Sequence, residues 1–447
     1  MTDTSIMHIG LDDTDSIKNG CTTYLAALLI EKLLQIPVQF IDYPALIRLN
    51  PNIPWKTRGN AALCLRFQHQ TQLTNNIKQS VLSIWERHSQ INNKKTNPGI
   101  VFYQNRIIPK ELTTFSHQTE TGIVTLNQAV KLIRKIGVEA LGYNNCRGII
   151  GALAAIGETL TNDYTYELIA YRIPKNWGTK RLVDRESIFN MDQILQPYVF
   201  NNIDKEKKRV LITPRGPDPI LFGIRGETAN IVKQALELVK PLEPIERWVI
   251  FRSNQGTDAH LTCVNSINEL EHGRSVILNG IVSSNPKIVP VRHVIFSIKD
   301  STGEIDCAAY EPTGELRRIA QELVVGDCIE AAGAVCKATK TKSLTINLEK
   351  IKVLFLNQKI LQQNPLCTTC QKRLKSMGKH QGFRCEKCSK KFPYLKKQDT
   401  ILPRTLKLGL YITSTHSQRH LTKPKRRFGQ EKHGEPAMFV EEWCSYV

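Results

Sequence analysis

Three carboxylates in four residues, Asp12, Asp13 and Asp15, follow a strand predicted over Met7–Leu11 and precede the short loop Ile17–Cys21. Such a group at a strand's carboxyl end repels itself unless a cation is present. Mg²⁺ is typically held by one or two carboxylates, with substrate phosphates completing its shell, so Asp12 and Asp15 are the expected magnesium ligands. Past Lys18-Asn19-Gly20, Thr22–Leu34 has helical periodicity, with Leu25, Leu28, Leu29 and Leu33 on one face. The free N–H groups at that helix start attract phosphate, with the Thr22 and Thr23 hydroxyls beside them. The plainer reading of the same residues is an Asp-rich turn capped by Thr22.

No GxxxxGK[ST] occurs, so a nucleotide site here is not a P-loop, and the absence of Lys-x-Asp-Gly argues against a ligase adenylated on lysine. Cations sit instead on Gly-bearing loops: Arg48, then Lys56-Thr57-Arg58-Gly59-Asn60, then Lys94-Lys95-Thr96-Asn97-Pro98-Gly99. Lys and Arg on such loops suit a triphosphate, and Lys18, Lys56, Arg58 and Lys95 are the expected ATP contacts. Arg147-Gly148 and the run from Gly223 to Glu227, which opens a helix, are weaker anion candidates.

Four of the twelve cysteines are clustered: Cys367-Thr-Thr-Cys370 and Cys385-Glu-Lys-Cys388. Paired C-x2-C turns close a tetrahedral zinc site, here a structural one, with Gly378 and Gly382 suiting a hairpin between them. The other eight cysteines look mostly like small buried residues.

The elements that must carry these groups divide the 447 residues into a multidomain α+β chain. Residues 1–115 read as an N-terminal α/β kinase-like domain. Residues 116–268 read as a ferredoxin-like domain, with Val210–Thr213 as a strand and 201–209 as an exposed loop. Residues 272–356 give three strands, a helix and two strands, the order of an OB-fold β-barrel. The C-terminal zinc ribbon spans 362–395, and a basic segment, 396–447, ends the chain. Of the net charge of +20, +13 falls from residue 357 onward (19 Lys or Arg against 6 Asp or Glu), the footprint of a polyanion partner. With no recognition-helix motif, looped RNA is a better partner than duplex DNA. The longest apolar stretches, Tyr24–Ile30 and Ile149–Ile156, are too short to span a bilayer. With no secretion signal at the N-terminus, a cytoplasmic location is expected.

GLDDTDS…GCTTYLA, RLNPNIPWKTRGNAA, KKTNPGIVF, RGIIGALAAIG, ELIAYRIP, FGIRGE, a late OB-fold and a terminal CxxC…CxxC occur here in one order. The set resembles the archaeal tRNA(Ile) 2-agmatinylcytidine synthetases, the TiaS family, over essentially the whole chain. The resemblance implies ATP-dependent attachment of agmatine to the 2-carbonyl carbon of the wobble cytidine in the CAU anticodon, through a phosphorylated intermediate, so that the tRNA reads AUA. It also implies that Asp12, Asp13 and Asp15 are the metal-binding catalytic motif and that Thr22 is self-phosphorylated. Agmatine, being cationic, calls for carboxylates, and Glu227 and Asp258 are the candidates. The run Lys423-Pro-Lys425-Arg426-Arg427 belongs to the expected tRNA-holding end. Two other functions fit parts of the same sequence: a non-catalytic tRNA-binding factor, and a kinase releasing ADP rather than AMP.

Overall fold

The computed structural model describes residues 3–57, 59–337, 343–434 and 439–446. Its first half is one ten-stranded sheet. In chain order the elements used below are β1 (Thr4–Asp12), α1 (Thr22–Leu34), β2 (Ala45–Arg48), β3 (Ala61–Gln70), α2 (Thr74–His88), β4 (Gly99–Tyr103), α3 (Lys110–Thr121), α4 (Leu126–Ile136), β5 (Glu139–Gly142) and α5 (Gly148–Gly157). They continue with β6 (Thr165–Arg172), α6 (Arg185–Leu195), β7 (Ile220–Gly226), α7 (Ala229–Leu238) and β8 (Ile245–Ser253). The order across the sheet is β7-β6-β8-β2-β3-β1-β4-β5.

Alternation along the strands assigns two cores. Met7, Ile9, Leu11, Leu63, Leu65 and Phe67 pack against α1 and α2 on one face. Ala45, Ile47, Ala62, Cys64 and Val101 meet α3, α5 and their neighbours on the other. The ferredoxin-like half (β6 to β8 with α6 and α7) joins through the parallel β2–β8 pair, Arg252 opposite Ala45. The cut expected between residues 115 and 116 falls inside α3, and β5 beyond it pairs with β4. The N-terminal domain therefore runs on through residue 142. The expected strand Val210–Thr213 shrinks to Arg209–Val210, hairpinned with Ile203–Asp204. In the segment 201–209 only the turn 205–208 is exposed, while Asn202, Ile203 and Asp204 are buried.

The barrel follows the expected order: β9 (Ser275–Val282), β10 (His293–Lys299), β11 (Glu304–Ala309), the helix Glu315–Glu322, β12 (Cys328–Lys337) and β13 (Leu344–Phe355). Its circuit β9-β12-β13-β11-β10 closes by pairing of β9 with β10, which removes the free edges. A two-stranded stalk, Lys359–Gln363 with Gln398–Leu402, carries the ribbon, whose three short strands pair at Ser376, Phe383 and Phe392.

The final segment departs from the expected role. After pairing Gly409–Ile412 (β14) with β13, the chain returns across the first half, and Cys444–Tyr446 (β15) joins β8. Three of the four cations in the run 423–427 turn inward. Arg427, fully buried, bonds Asp163 and Glu227; Arg426 bonds Asp192; Lys423 bonds Asp163 and Glu431. This run is a structural strap, because its charges are matched by carboxylates of the first half and are not offered to a polyanion. Only Cys64 and Cys307 of the unclustered cysteines are buried. No helix among the described residues is long and apolar enough to cross a membrane.

Two outcomes follow from this packing. A Cβ at Gly10 would overlap the Ala152 carbonyl oxygen of α5, so Gly10→Ala should lower the urea midpoint by the equivalent of about 1–3 kcal/mol. Where strap meets barrel, Glu349 receives His260 Nε2 at 3.1 Å and Thr422 Oγ1 at 2.9 Å. Burial alone would raise its pKa, but His260, Arg419 and Thr422 outweigh burial and bring it to about 2. The folded value lies below the unfolded one, so this stabilisation is complete above about pH 4.5 and is lost as pH falls toward 2. It amounts to about 3 kcal/mol. Between pH 5 and pH 3 the denaturant midpoint of Glu349→Gln should fall less than that of the wild type.

Candidate functional site

β1, β2 and β8 run in the same direction, and their carboxyl ends open onto a cleft of about 700 Å³. Asp12, Asp13, Asp15, Thr22, Arg48, Lys56, Thr57, Arg147, Glu167, Arg225 and His420 all line it. Asp12 ends β1 opposite Gly99 of β4. Its carboxylate rests against α5, where a Cβ on Gly151 would overlap Oδ2. The small-residue run RGIIGALAAIG is therefore a helix seated hard on the strand that carries the acidic loop.

The loop is held by the KTNPG motif, though not through its lysine. Asn97 donates from its backbone N and from Nδ2 to Asp13 Oδ2 (3.1 and 3.2 Å), and Thr96 Oγ1 donates to the Asp15 carbonyl (3.0 Å). Thr57 Oγ1 donates to Asp13 Oδ1 at 3.4 Å, and Arg147 lies 3.8 Å from Asp13 Oδ2. Asp13 itself takes a left-handed φ of 51°. Burial first, and then the Asp13 charge beside it, push the Asp12 carboxyl well above its usual range. Burial also raises Asp13, opposed by Asn97 and Arg147. A half-buried acidic pair of this kind has the donors and the unmet repulsion that a hard divalent cation would relieve. Thr22 is the first residue of α1, behind an uncapped Cys21, and its Oγ1 accepts from Thr14 Oγ1 at 3.0 Å. The threonine thus stands at the helix start, not in the capping position.

The structure brings some of the expected ATP contacts here and not others. Lys56 lines the cleft, bonded to the Pro51 carbonyl, whereas Lys18 and Lys95 are exposed and do not line it. Arg58 lies outside the described residues. Neither agmatine candidate reaches the cleft. Glu227 is buried between Arg427 and Lys432 (2.7 and 2.5 Å), and Asp258 is taken by Lys350 and by the backbone N of Lys423. Both carboxylates anchor the strap.

Three cleft residues were not among the expected contacts. Glu167, 5% exposed, accepts from Arg48 Nη2 (3.3 Å) and Arg225 Nε (3.2 Å), and Gly223 leaves it room, since a Cβ there would sit 2.8 Å from Oε1. The motifs ELIAYRIP and FGIRGE contained Glu167 and Arg225 without disclosing that they meet. His420, on the strap, gave no signal at all. Its ring is open to the cleft, and the Arg48 charge beside it holds its pKa well below the usual histidine range.

In the ribbon, Cys367, Cys370, Cys385 and Cys388 place their sulfurs within 4.8 Å of one another. Backbone N–H groups of Cys370 and Thr369 bring Cys367 down to about 6, and those of Cys388 and Lys387 lower Cys385. Four thiols so gathered, two of them favouring thiolate, fit a tetrahedral zinc ion.

Family models match the chain in four pieces. These are the TiaS TCKD domain over residues 8–145, the TiaS FLD domain over 146–260, an OB-fold nucleic acid binding domain over 276–354 and the TiaS C-terminal zinc ribbon domain over 364–406. The isoleucine-tRNA 2-agmatinylcytidine synthetase TiaS of Methanocaldococcus jannaschii is 41% identical over 427 residues, 94% of this chain and 98% of its own. That of Archaeoglobus fulgidus is 39% identical over 423 residues, 95% and 98% of the two chains. Among solved structures, a complex of TiaS with its isoleucine tRNA and ATP has a TM-score of 0.85 at 38% identity, covering 98% of both chains. A complex of TiaS with the same tRNA, AMPCPP and agmatine has a TM-score of 0.82 at 36% identity, covering 94% of this chain and 96% of the other.

The ribbon yields a test independent of any activity. Cys385→Ser should lower bound zinc from about one ion per chain to near zero after dialysis, read by elemental mass spectrometry. Protease should then cut within 364–406 while the barrel stays resistant, because zinc binding supplies most of the folding free energy of such a module.

Proposed function

The chain belongs to the TiaS family, and on that premise we propose that it attaches agmatine to the wobble cytidine of the CAU-anticodon isoleucine tRNA, consuming ATP. The observation that carries the reading is the convergence, in one cleft, of the acidic loop, the Thr22 hydroxyl at the start of α1, and cationic side chains from separate loops. A cytosine carbonyl is a poor electrophile whose oxygen leaves only once it is phosphorylated. Phosphoryl transfer depends mainly on positioning and charge neutralisation. Asp12, Asp13 and Asp15 would hold Mg²⁺, which when bound offsets the charge of the triphosphate.

The α1 N-terminus directs its free N–H groups at the phosphates, and Lys56 and Arg147 add positive charge around them. Thr22, which the family resemblance makes the acceptor of self-phosphorylation, places its hydroxyl at that helix start and accepts a hydrogen bond from Thr14 of the acidic loop. The carbonyl oxygen of the cytidine takes the terminal phosphoryl group of ATP as the bond from that phosphorus to the bridging oxygen breaks, the electron pair leaving on the β-phosphate oxygen. The agmatine amine then bonds to C2 while the C2–O bond breaks, phosphate leaves with the electron pair, and the amine's proton passes to solvent. The base must be unstacked to enter the cleft, which suits an anticodon-loop nucleotide. The barrel and the ribbon, whose Lys and Arg side chains between residues 372 and 397 are all exposed, hold the rest of the tRNA.

Incubated with ATP, Mg²⁺, agmatine and the tRNA transcript, the wild type should convert the wobble cytidine to a heavier nucleoside, detected by nucleoside mass spectrometry. Omission of agmatine should prevent the conversion. Asp12→Asn should lower the rate at least 100-fold, and Thr22→Ala should lose label from γ-phosphate-labelled ATP while keeping tRNA affinity within about twofold. An unmodified cytidine in the complete reaction would overturn the proposal.

A further inference from the structure

We propose that Arg48, Arg225 and His420 form a phosphate-binding wall of the cleft, built from three segments remote in the chain and distinct from the acidic loop and Thr22. The proposal rests on the tRNA-modifying reading, because that reaction supplies the phosphates.

Each guanidinium is fixed along one edge and free along another. Arg48 commits Nη2 to Glu167 and Nε to Gln255 Oε1 (3.1 Å). Arg225 commits Nε to Glu167 and Nη1 to the Asn201 carbonyl (2.9 Å). Arg48 Nη1, Arg225 Nη2 and the ring of His420 make no hydrogen bond among the described residues, and all three side chains line the cleft. They also share a space. A Cβ added at Gly59 would lie 2.9 Å from His420 Nε2 and 3.2 Å from Arg48 Nη1, so those two nitrogens border one small volume, which the glycine keeps open.

Charge selects the ligand. One nearly buried carboxylate, Glu167, serves two guanidiniums, which leaves a positive charge unmatched in a half-buried wall. An unmatched charge in such a place is unfavourable to hold, and an anion relieves it. Phosphate fits the planar guanidinium edges, and a neutral imidazole adds a donor without adding charge. The same excess repels agmatine, a dication, so of the three substrates only the ATP triphosphate or the phosphates of the tRNA backbone suit this wall.

The third donor arrives by a long route. His420 comes from the strap beyond the ribbon. Gly256 N donates to the His420 carbonyl and Asp258 N to that of Leu421, both at 2.8 Å. Leu421, Thr422 and Arg427 are buried, with Arg427 locked to Asp163 and Glu227. Next to those buried residues, His420 stays open to the cleft.

The test uses full-length, zinc-loaded His420→Ala and Arg225→Gln. His420→Ala removes no ion pair, and Arg225→Gln leaves Glu167 held by Arg48. AMPCPP affinity is read by calorimetry and tRNA affinity by filter binding across a salt series, with melting temperatures as the folding control. If the wall holds the triphosphate, AMPCPP binding weakens about tenfold while tRNA binding stays within twofold. If it holds the RNA backbone, tRNA binding weakens about tenfold, and for Arg225→Gln the slope of log affinity against log salt becomes shallower by about one. Should one variant fail to fold, the other decides. Wild-type affinity for both ligands in a folded variant overturns the wall. A wild type that binds neither AMPCPP nor tRNA overturns the tRNA-modifying reading itself, and the wall with it.

Discussion

The site depends on one contact, the seating of α5 directly on β1 and β4. Helices normally keep about 10 Å from a sheet because side chains fill the gap. Here glycines remove the filling from both surfaces. Gly10 and Gly99 on the strands, with Gly148 and Gly151 on the helix, each lie where a Cβ would overlap backbone or Asp12. The Asp12 carboxylate thus comes to rest on the first turn of α5, where the helix N-terminus favours a negative charge that burial and Asp13 oppose. The acidic loop is accordingly stiff for a loop. Asn97 and Thr96 hold it from the loop before β4, and Gly148 N bonds the Asn97 carbonyl, which ties that bracket to the same helix.

The net charge of +20 divides by where its side chains point. In the ribbon the Lys and Arg side chains are exposed, hung on a two-stranded stalk with a core built around the four cysteines. In the strap they turn inward, and Arg427, Arg426 and Lys423 meet Asp163, Glu227, Asp192 and Glu431. Removing one partner of such a buried pair leaves an uncompensated charge, at a cost of about 3–5 kcal/mol. The strap's basic run is therefore a fastening, and a salt titration of polyanion binding should draw on the ribbon.

What could be read in the sequence follows from the range of each interaction. The five barrel strands, the helix between β11 and β12, and the zinc knuckles are set by alternation or by spacings of a few residues, and they lie where expected. The acidic loop and Thr22 are equally local. Lys95 and Asn97 show where local reading fails: the motif points to a charged residue near phosphates, but the structure uses the uncharged neighbour to hold Asp13. Glu227 and Asp258 fail for a related reason. Each is a carboxylate at an element's end, as a ligand should be, but their partners Arg427 and Lys350 are 200 and 92 residues away in sequence. Glu167 and Arg225 are register partners across β6 and β7, and Arg48 reaches Glu167 because β2 and β8 pair in parallel, a pairing no local pattern encodes.

The path of the chain turns these contacts into a coupling. It leaves the sheet after β8, builds the barrel and ribbon, and comes back, so that the strap borders the cleft at His420 and β15 pairs with β8 itself. The nucleic-acid-binding modules are thus inserted into a core that closes only afterwards, and they are tethered at both ends. Asn50, 1% exposed, reinforces the junction by bonding Gly122 of the core and Gly273 at the root of β9. Two tethers and a buried bridge restrict the barrel to a narrow range of orientations, so less orientational entropy remains to be lost when one ligand bridges the barrel and the cleft. His420 shows the coupling at atomic scale: the stretch of chain that returns from the ribbon also supplies part of the cleft wall.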